Sequence, residues 1–277
     1  MKRLSVGKAL RQGSELLEKA GIEVPRLTAE VLLAFALKRD RSYLYAHSDE
    51  ELHEVEWIHF GRYLHERLKH KPTQYITHVQ DFYGRGFYVS PDVLIPRPET
   101  EHVVEASLPL VGAGLTIDVG TGSGAIAVTL AAEKDARVTG VDISEAALSV
   151  ARRNADALGA RVDWVLGDAL TAFRDNSVEL VVSNPPYVAE QDRPSLAPEV
   201  RDWEPALALF AGHSGFDFHK RLMPEAARVL KAGGHFVVEL GAGQSRAVAS
   251  LLEGRMETVA VIRDLSGIER VLVARKS

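Results

Sequence analysis

Cysteine is absent from the 277 residues. Disulfides, thiolate nucleophiles and Cys-ligated zinc are thereby excluded. A basic excess is missing too: 33 Lys and Arg stand against 38 Asp and Glu, a net charge of −5. Proteins that grip bulk nucleic acid draw much of their affinity from counterion release and carry a positive surplus, so no direct nucleic-acid partner is expected. The short basic run from Arg67 to Lys71 reads as a solvated helix end. No apolar run is long enough to span a bilayer, and Met1-Lys2-Arg3-Leu4 lacks the apolar segment of a secretory signal. No membrane partner is expected, and the cytoplasm is the expected compartment. The ten histidines show no ligand-like spacing, so no metal is expected. What remains is a chain of ordinary apolar content, 46%, long enough for one large domain and a smaller one.

The pattern along the chain changes twice. Residues 1–72 read as a small helical bundle. Val6, Ala9, Leu10, Leu16 and Leu17 recur at helical spacing with Gly21 as a stop, 29–37 suits a buried helix, and 51–69 carries a looser stripe ended by Pro72. This part reads as a substrate-docking domain or as scaffold. Residues 73–100 read as a β-hairpin linker: Tyr75, Ile76, Val79, Phe82, Tyr83, Phe87, Tyr88 and Val89 are β-formers, and Gly84-Arg85-Gly86 supplies a turn. The prolines of Pro96-Arg97-Pro98 keep the next stretch extended. From 101 to 277 strands and helices alternate. Strand candidates are 115–119, 137–141, 162–166, 179–183, 235–240, 258–262 and 270–274, with Ser144 capping and Gly159 closing one intervening helix. This predicts an α/β fold with a seven-stranded, doubly wound, Rossmann-like sheet. The last two strands, joined by a short loop, must pair antiparallel.

The first strand runs into Asp118-Val119-Gly120-Thr121-Gly122-Ser123-Gly124. Glycines at a strand-to-helix turn let a ligand approach the backbone, and the helix N-terminus offers free N–H groups. With Ala125 the segment also fits the dinucleotide form G-x-G-x-x-G/A. Asp142, at the end of the second strand, is placed to accept both ribose hydroxyls, which serves NAD and S-adenosylmethionine equally. Asp168, past the third strand, is placed for an adenine amino group with Ala169 beside it, and Asp118 for a methionine ammonium, directly or through water. No lysine stands in the loop to hold phosphates, which argues against a P-loop. An antiparallel strand at the end of a seven-stranded sheet favours a methyltransferase over a nicotinamide-binding domain.

The fourth strand ends in Asn184-Pro185-Pro186-Tyr187. An amide or aniline-like NH2 is a poor nucleophile because its lone pair is delocalised. The Asn184 side-chain oxygen and the Pro185 carbonyl can each accept one of its N–H bonds. Together they draw the nitrogen toward a tetrahedral form and stabilise its growing positive charge. The prolines stiffen the backbone, and Tyr187 offers a flat face for a planar group. Positioning then carries much of the catalysis, with no metal or strong general base.

The glycine loop and Asn184-Pro185-Pro186-Tyr187 together resemble class I methyltransferases that act on amide or amino nitrogens. Leu94-Ile95-Pro96-Arg97-Pro98-Glu99-Thr100-Glu101, Glu204-Pro205-Ala206-Leu207 and Glu239-Leu240-Gly241 through Gln244 narrow the resemblance to the release factor glutamine methyltransferases of the PrmC/HemK type. It extends over nearly the whole chain. It implies methylation at N5 of the glutamine in the Gly-Gly-Gln loop of class-1 peptide chain release factors. S-adenosylmethionine would be the cofactor and S-adenosylhomocysteine the product. It also implies cofactor contacts at Gly120 to Gly124, Asp142, Asp168, Ala169 and Asn184, and substrate contacts at Asn184, Pro185, Pro186 and Tyr187. Alternative readings are an adenine-N6 methyltransferase on DNA or RNA, a non-catalytic nucleotide-binding regulatory module, and an NAD-dependent oxidoreductase.

Overall fold

The structure is a computed structural model that describes residues 4–277; the N-terminal reading of Met1, Lys2 and Arg3 lies outside the described residues. The chain forms two compact units, divided differently from the three segments expected. One is the chain up to His78 together with Ala197–Trp203; the other is Val79–Leu196 with Glu204–Ser277.

The first unit holds α1 (Val6–Lys19), α2 (Pro25–Leu37), α3 (Arg41–Ala46), α4 (Glu54–Arg67) and α5 (Thr73–Thr77). Leu10, Leu17, Leu32, Leu33, Phe60 and Leu64 fill its core. Two features depart from expectation. Tyr75 and Ile76 are buried in the α5 turn instead of forming strand, so packing overrides their β preference. Arg67 is buried rather than solvated: it donates to Glu199 and to the Lys71 carbonyl. Its partner arrives on the short helix Pro198–Arg201, α9 in chain order, where Trp203 also donates to the Lys69 carbonyl at 3.2 Å.

The second unit opens with the hairpin β1 (Val79–Phe82) and β2 (Arg85–Tyr88). Its turn is Tyr83-Gly84, both with positive φ (48° and 71°), the two-residue form whose twist matches its strands. Arg85 and Gly86 belong to β2, one step past the expected turn. The hairpin is part of this unit: Phe82 and Phe87 are buried in the same cluster as α6 (Glu101–Ser107) and α7 (Ala125–Lys134).

Seven strands follow: β3 (Thr116–Val119), β4 (Val138–Asp142), β5 (Val162–Leu166), β6 (Val178–Ser183), β7 (Leu230–Glu239), β8 (Glu257–Arg263) and β9 (Glu269–Arg275). They lie in the order β5-β4-β3-β6-β7-β9-β8. The first five are parallel. β9 runs antiparallel to both β7 and β8; it slots between them, leaving β8 on the edge. The central strands are buried on both faces, as crossover helices require. Ile117, Val181, Phe236 and Val238 face α11 (Asp217–Val229) and α12 (Ser245–Leu252). Leu180, Val182 and Val237 face α6 and α7. α8 (Glu145–Leu158) starts with Ser144 accepting from the Ala147 N–H at 3.2 Å and stops at Gly159, φ 65°. The strand order reverses between β3 and its neighbours β4 and β6, which opens a crevice at their carboxyl ends.

Candidate functional site

A cavity of about 560 Å³ occupies that crevice, with Gly120, Asp142, Asp168, Asn184 and Pro186 on its wall. Its floor is the turn from β3 to α7. Gly120, Gly122 and Gly124 all have positive φ (70°, 56° and 80°). A Cβ on Gly124 would also stand 3.2 Å from Ala151 and from the Trp164 ring, so this glycine serves helix packing and is not on the wall. Thr121, Ser123 and the first residues of α7, Ala125 and Ile126, are. Asp118 lies beneath the turn, fully enclosed. Its Oδ2 accepts from the Thr121 hydroxyl at 2.6 Å and the Ala127 N–H at 3.2 Å, while Oδ1 has no partner. Burial pushes this carboxyl up to about 7, against both hydrogen bonds. Asp118 therefore braces the loop from beneath and is not itself on the cavity wall.

Asp142 accepts from the Gly122 and Ser144 N–H groups, each at 2.9 Å and each on a different oxygen. One lone pair per oxygen remains for the cavity, the arrangement a pair of vicinal hydroxyls needs. Asp168 lines the wall beside Ala169, whose φ of 47° is unusual for a side-chain-bearing residue. Asp168 also accepts from Arg221 at 2.8 Å. Carboxylate pairs, positive-φ glycines and a helix N-terminus suit a nucleoside bearing an amino-acid chain, so the residues fit S-adenosylmethionine.

At the other end stands Asn184. Its Nδ2 donates to the Thr100 hydroxyl at 3.0 Å, and Thr100 donates to Glu239 Oε2 at 2.6 Å. The Tyr187 hydroxyl donates to Glu239 Oε1 at 3.3 Å. Of the tetrapeptide, Asn184 and Pro186 line the cavity, and the rings of Pro185 and Tyr187 do not. The Tyr187 hydroxyl is anchored: burial and then the nearby Glu239 carboxyl raise the phenol's pKa above its ordinary value. Burial likewise pushes Glu239 up to about 7, although Thr100 and Tyr187 donate to it. Gln244 bonds the loop from behind, donating to the Tyr187 carbonyl at 3.1 Å and accepting from Gly241 N–H at 3.0 Å. Gly215 (φ 77°) lets another turn press close, since a Cβ there would sit 2.6 Å from the Tyr187 carbonyl.

Among curated relatives, the release factor glutamine methyltransferase of Koribacter versatilis is 44% identical over 265 residues, covering 94% of this chain and 94% of its own. That of Nitratidesulfovibrio vulgaris is 39% identical over 277 residues, covering 97% and 94%. The chain belongs to the release factor glutamine methyltransferase family. Residues 8–77 match the PrmC N-terminal domain and residues 116–203 a methyltransferase domain. The crystal structure of the hMettl16 catalytic domain in complex with MAT2A 3′UTR hairpin 6 covers 73% of this chain and 89% of its own. Its TM-score is 0.54 at 15% identity, a likeness of fold alone.

The segments that carried the resemblance to this family acquire individual functions in the structure. Arg97 pairs with Glu204, whose other oxygen accepts from the Ile95 N–H at 3.2 Å. Thr100, Glu239 and Gln244 converge on the asparagine loop from positions remote in sequence. Asn154 was signalled by nothing in the sequence: it bonds the Ser123 carbonyl at 2.8 Å and both backbone groups of Tyr88, tying the hairpin to the glycine loop. No helix among the described residues is long and apolar enough to cross a membrane.

Proposed function

We propose that this protein transfers a methyl group from S-adenosylmethionine to the side-chain N5 of the glutamine in the Gly-Gly-Gln motif of class-1 peptide chain release factors. The product is S-adenosylhomocysteine. The supporting observation is the orientation of Asn184: its amide nitrogen is taken by Thr100, which leaves its oxygen for an N–H donor in the cavity.

Bound S-adenosylmethionine supplies a methyl group on a sulfonium, which makes the carbon electrophilic. Asp142 would hold the ribose hydroxyls, Asp168 and Ala169 the adenine, and the turn from Gly120 to Gly124 the amino-acid end. Asn184 Oδ1 and the Pro185 carbonyl accept the two N–H bonds of the glutamine amide, and Pro186 packs beside it. The glutamine nitrogen lone pair forms the new N–C bond as the C–S bond breaks. The extra proton on nitrogen passes to water, and S-adenosylhomocysteine would be the neutral thioether coproduct. Both acceptors strengthen as positive charge grows on nitrogen, so they favour the transition state over the ground state.

The partner is a protein, with no direct nucleic-acid contact, and the compartment is the cytoplasm. The asparagine loop would serve an adenine amino group equally well. The test is methyl transfer from labelled S-adenosylmethionine to a release factor and, separately, to duplex DNA. Label on the release factor is expected; label on DNA alone would overturn the glutamine assignment.

A further inference from the structure

Thr100 immediately precedes α6, at the N-cap position where a threonine hydroxyl ordinarily caps the helix. It does not: its φ and ψ are helical (−67° and −19°) and its side chain makes no capping bond. The hydroxyl is buried between two side chains from other parts of the chain, Asn184 and Glu239. A hydroxyl has one proton to give. At 2.6 Å from a carboxylate oxygen that proton goes to Glu239, so the hydroxyl can only accept from Asn184. The group of Asn184 turned toward it must then be the NH2.

We infer that Thr100 and Glu239 are positioning residues that set the polarity of the Asn184 amide, holding its oxygen toward the substrate nitrogen. The inference rests on the proposed function, because the orientation matters only if Asn184 accepts from a substrate N–H. A reversed amide would present NH2 to NH2, lose the acceptor and repel the charge that builds during transfer.

The carboxylate form of Glu239 enforces this direction. Protonated, Glu239 could donate to Thr100, and Thr100 could then donate to the Asn184 oxygen, which reverses the chain. Burial holds the Glu239 carboxyl near 7, so the switch falls within reach of experiment. Thr100, the Tyr187 hydroxyl, Arg270 of β9 and Glu99 act on it. His219 of α11 lies against its backbone and is kept neutral, its pKa lowered to about 4 by burial.

The test measures kcat on a release factor, and S-adenosylmethionine affinity, across pH 6 to 9 for wild type, Thr100→Val, Thr100→Ser, Glu239→Gln and Asn184→Ala. Valine keeps the shape of Thr100 and removes the hydroxyl. A displaced reacting group costs up to about a hundredfold, so Thr100→Val is expected to lower kcat by about ten- to a hundredfold, with cofactor affinity within about twofold. Thr100→Ser should restore kcat to within about threefold. Wild-type kcat should fall as pH drops through 7, and Glu239→Gln should abolish that limb. If Thr100→Val fails to bind cofactor, the serine rescue and the Glu239→Gln pH profile decide. Wild-type kcat in Thr100→Val, or an unchanged pH limb in Glu239→Gln, overturns the inference while Asn184→Ala remains inactive. An active Asn184→Ala instead overturns the proposed function.

Discussion

At the cofactor end of the cavity, ligand-facing groups come from turns that follow single strands, and their supports lie close by: Asp118 braces Thr121 three residues on, and Asp142 holds Ser144 two residues on. At the acceptor end, one side chain, Asn184, is held by Thr100, 84 residues earlier, which leans on Glu239, 139 residues on from Thr100. The first construction binds a constant molecule with backbone geometry. The second aims one amide with a relay of side chains. Loss at the first end should thus appear as weaker cofactor binding, and loss at the second as slower turnover.

The largest effect should come from Asn184→Ala. Removing one electrostatic acceptor that strengthens in the transition state costs about 10²–10³-fold in kcat, and cofactor affinity should stay within a few-fold by calorimetric titration. Asp142→Ala should do the reverse. The charge-assisted hydrogen bonding to the ribose is lost, together about 1.5–3 kcal/mol, so cofactor Kd should rise about 10–100-fold while kcat at saturation changes little. A Kd effect in the first variant matching that in the second would dissolve the distinction between the two ends.

Gly215→Ala tests the packing behind the acceptor loop. The new Cβ meets the Tyr187 carbonyl at 2.6 Å and the φ of 77° disfavours a side chain. The expected loss is about 2 kcal/mol in urea denaturation, with kcat lowered more than cofactor affinity.

A pH slope is shared by both ends. Asp118 and Glu239 are each pushed up to about 7 in the fold by burial, whereas in the unfolded chain they titrate near 4. Between about pH 4.5 and 7 the unfolded chain has released protons that the folded one keeps. Stability from each group is full below that window and falls as pH rises through it, by about 1.4 kcal/mol per pH unit. Carboxyls held low, such as Glu30 and Glu66, act at more acid pH and in the opposite sense. Asp118→Asn keeps an acceptor for Thr121 and should flatten the slope measured by denaturation at a series of pH values.

The same contrast explains what could be read from the chain before its fold was known. The strands, the glycine turn, Asp142 and the asparagine loop are local patterns, each legible within a dozen residues. The antiparallel final pair followed from a loop too short for a crossover. Tyr187 was legible as an aromatic beside the site, but nothing local says which way its ring faces; Glu239, contributed by β7, turns it inward. Arg67 looked solvated because its partner Glu199 lies 132 residues away. Thr100 and Glu239 stood out only as parts of the family pattern, since their hydrogen bond exists once β7, α6 and the loop after β6 are assembled. Asp118 was legible beside the glycines, but its enclosure by Thr121 and α7 is a property of the packed turn.

The central claim is chemical: the acceptor end aims a glutamine amide nitrogen at a methyl group. Mass spectrometry of a class-1 release factor, digested after incubation with the protein and S-adenosylmethionine, tests it most directly. A single added methyl is expected on the glutamine of the Gly-Gly-Gln peptide, located at the side-chain nitrogen and absent with Asn184→Ala. An unmodified Gly-Gly-Gln peptide alongside methylated adenine in a parallel DNA incubation would contradict it.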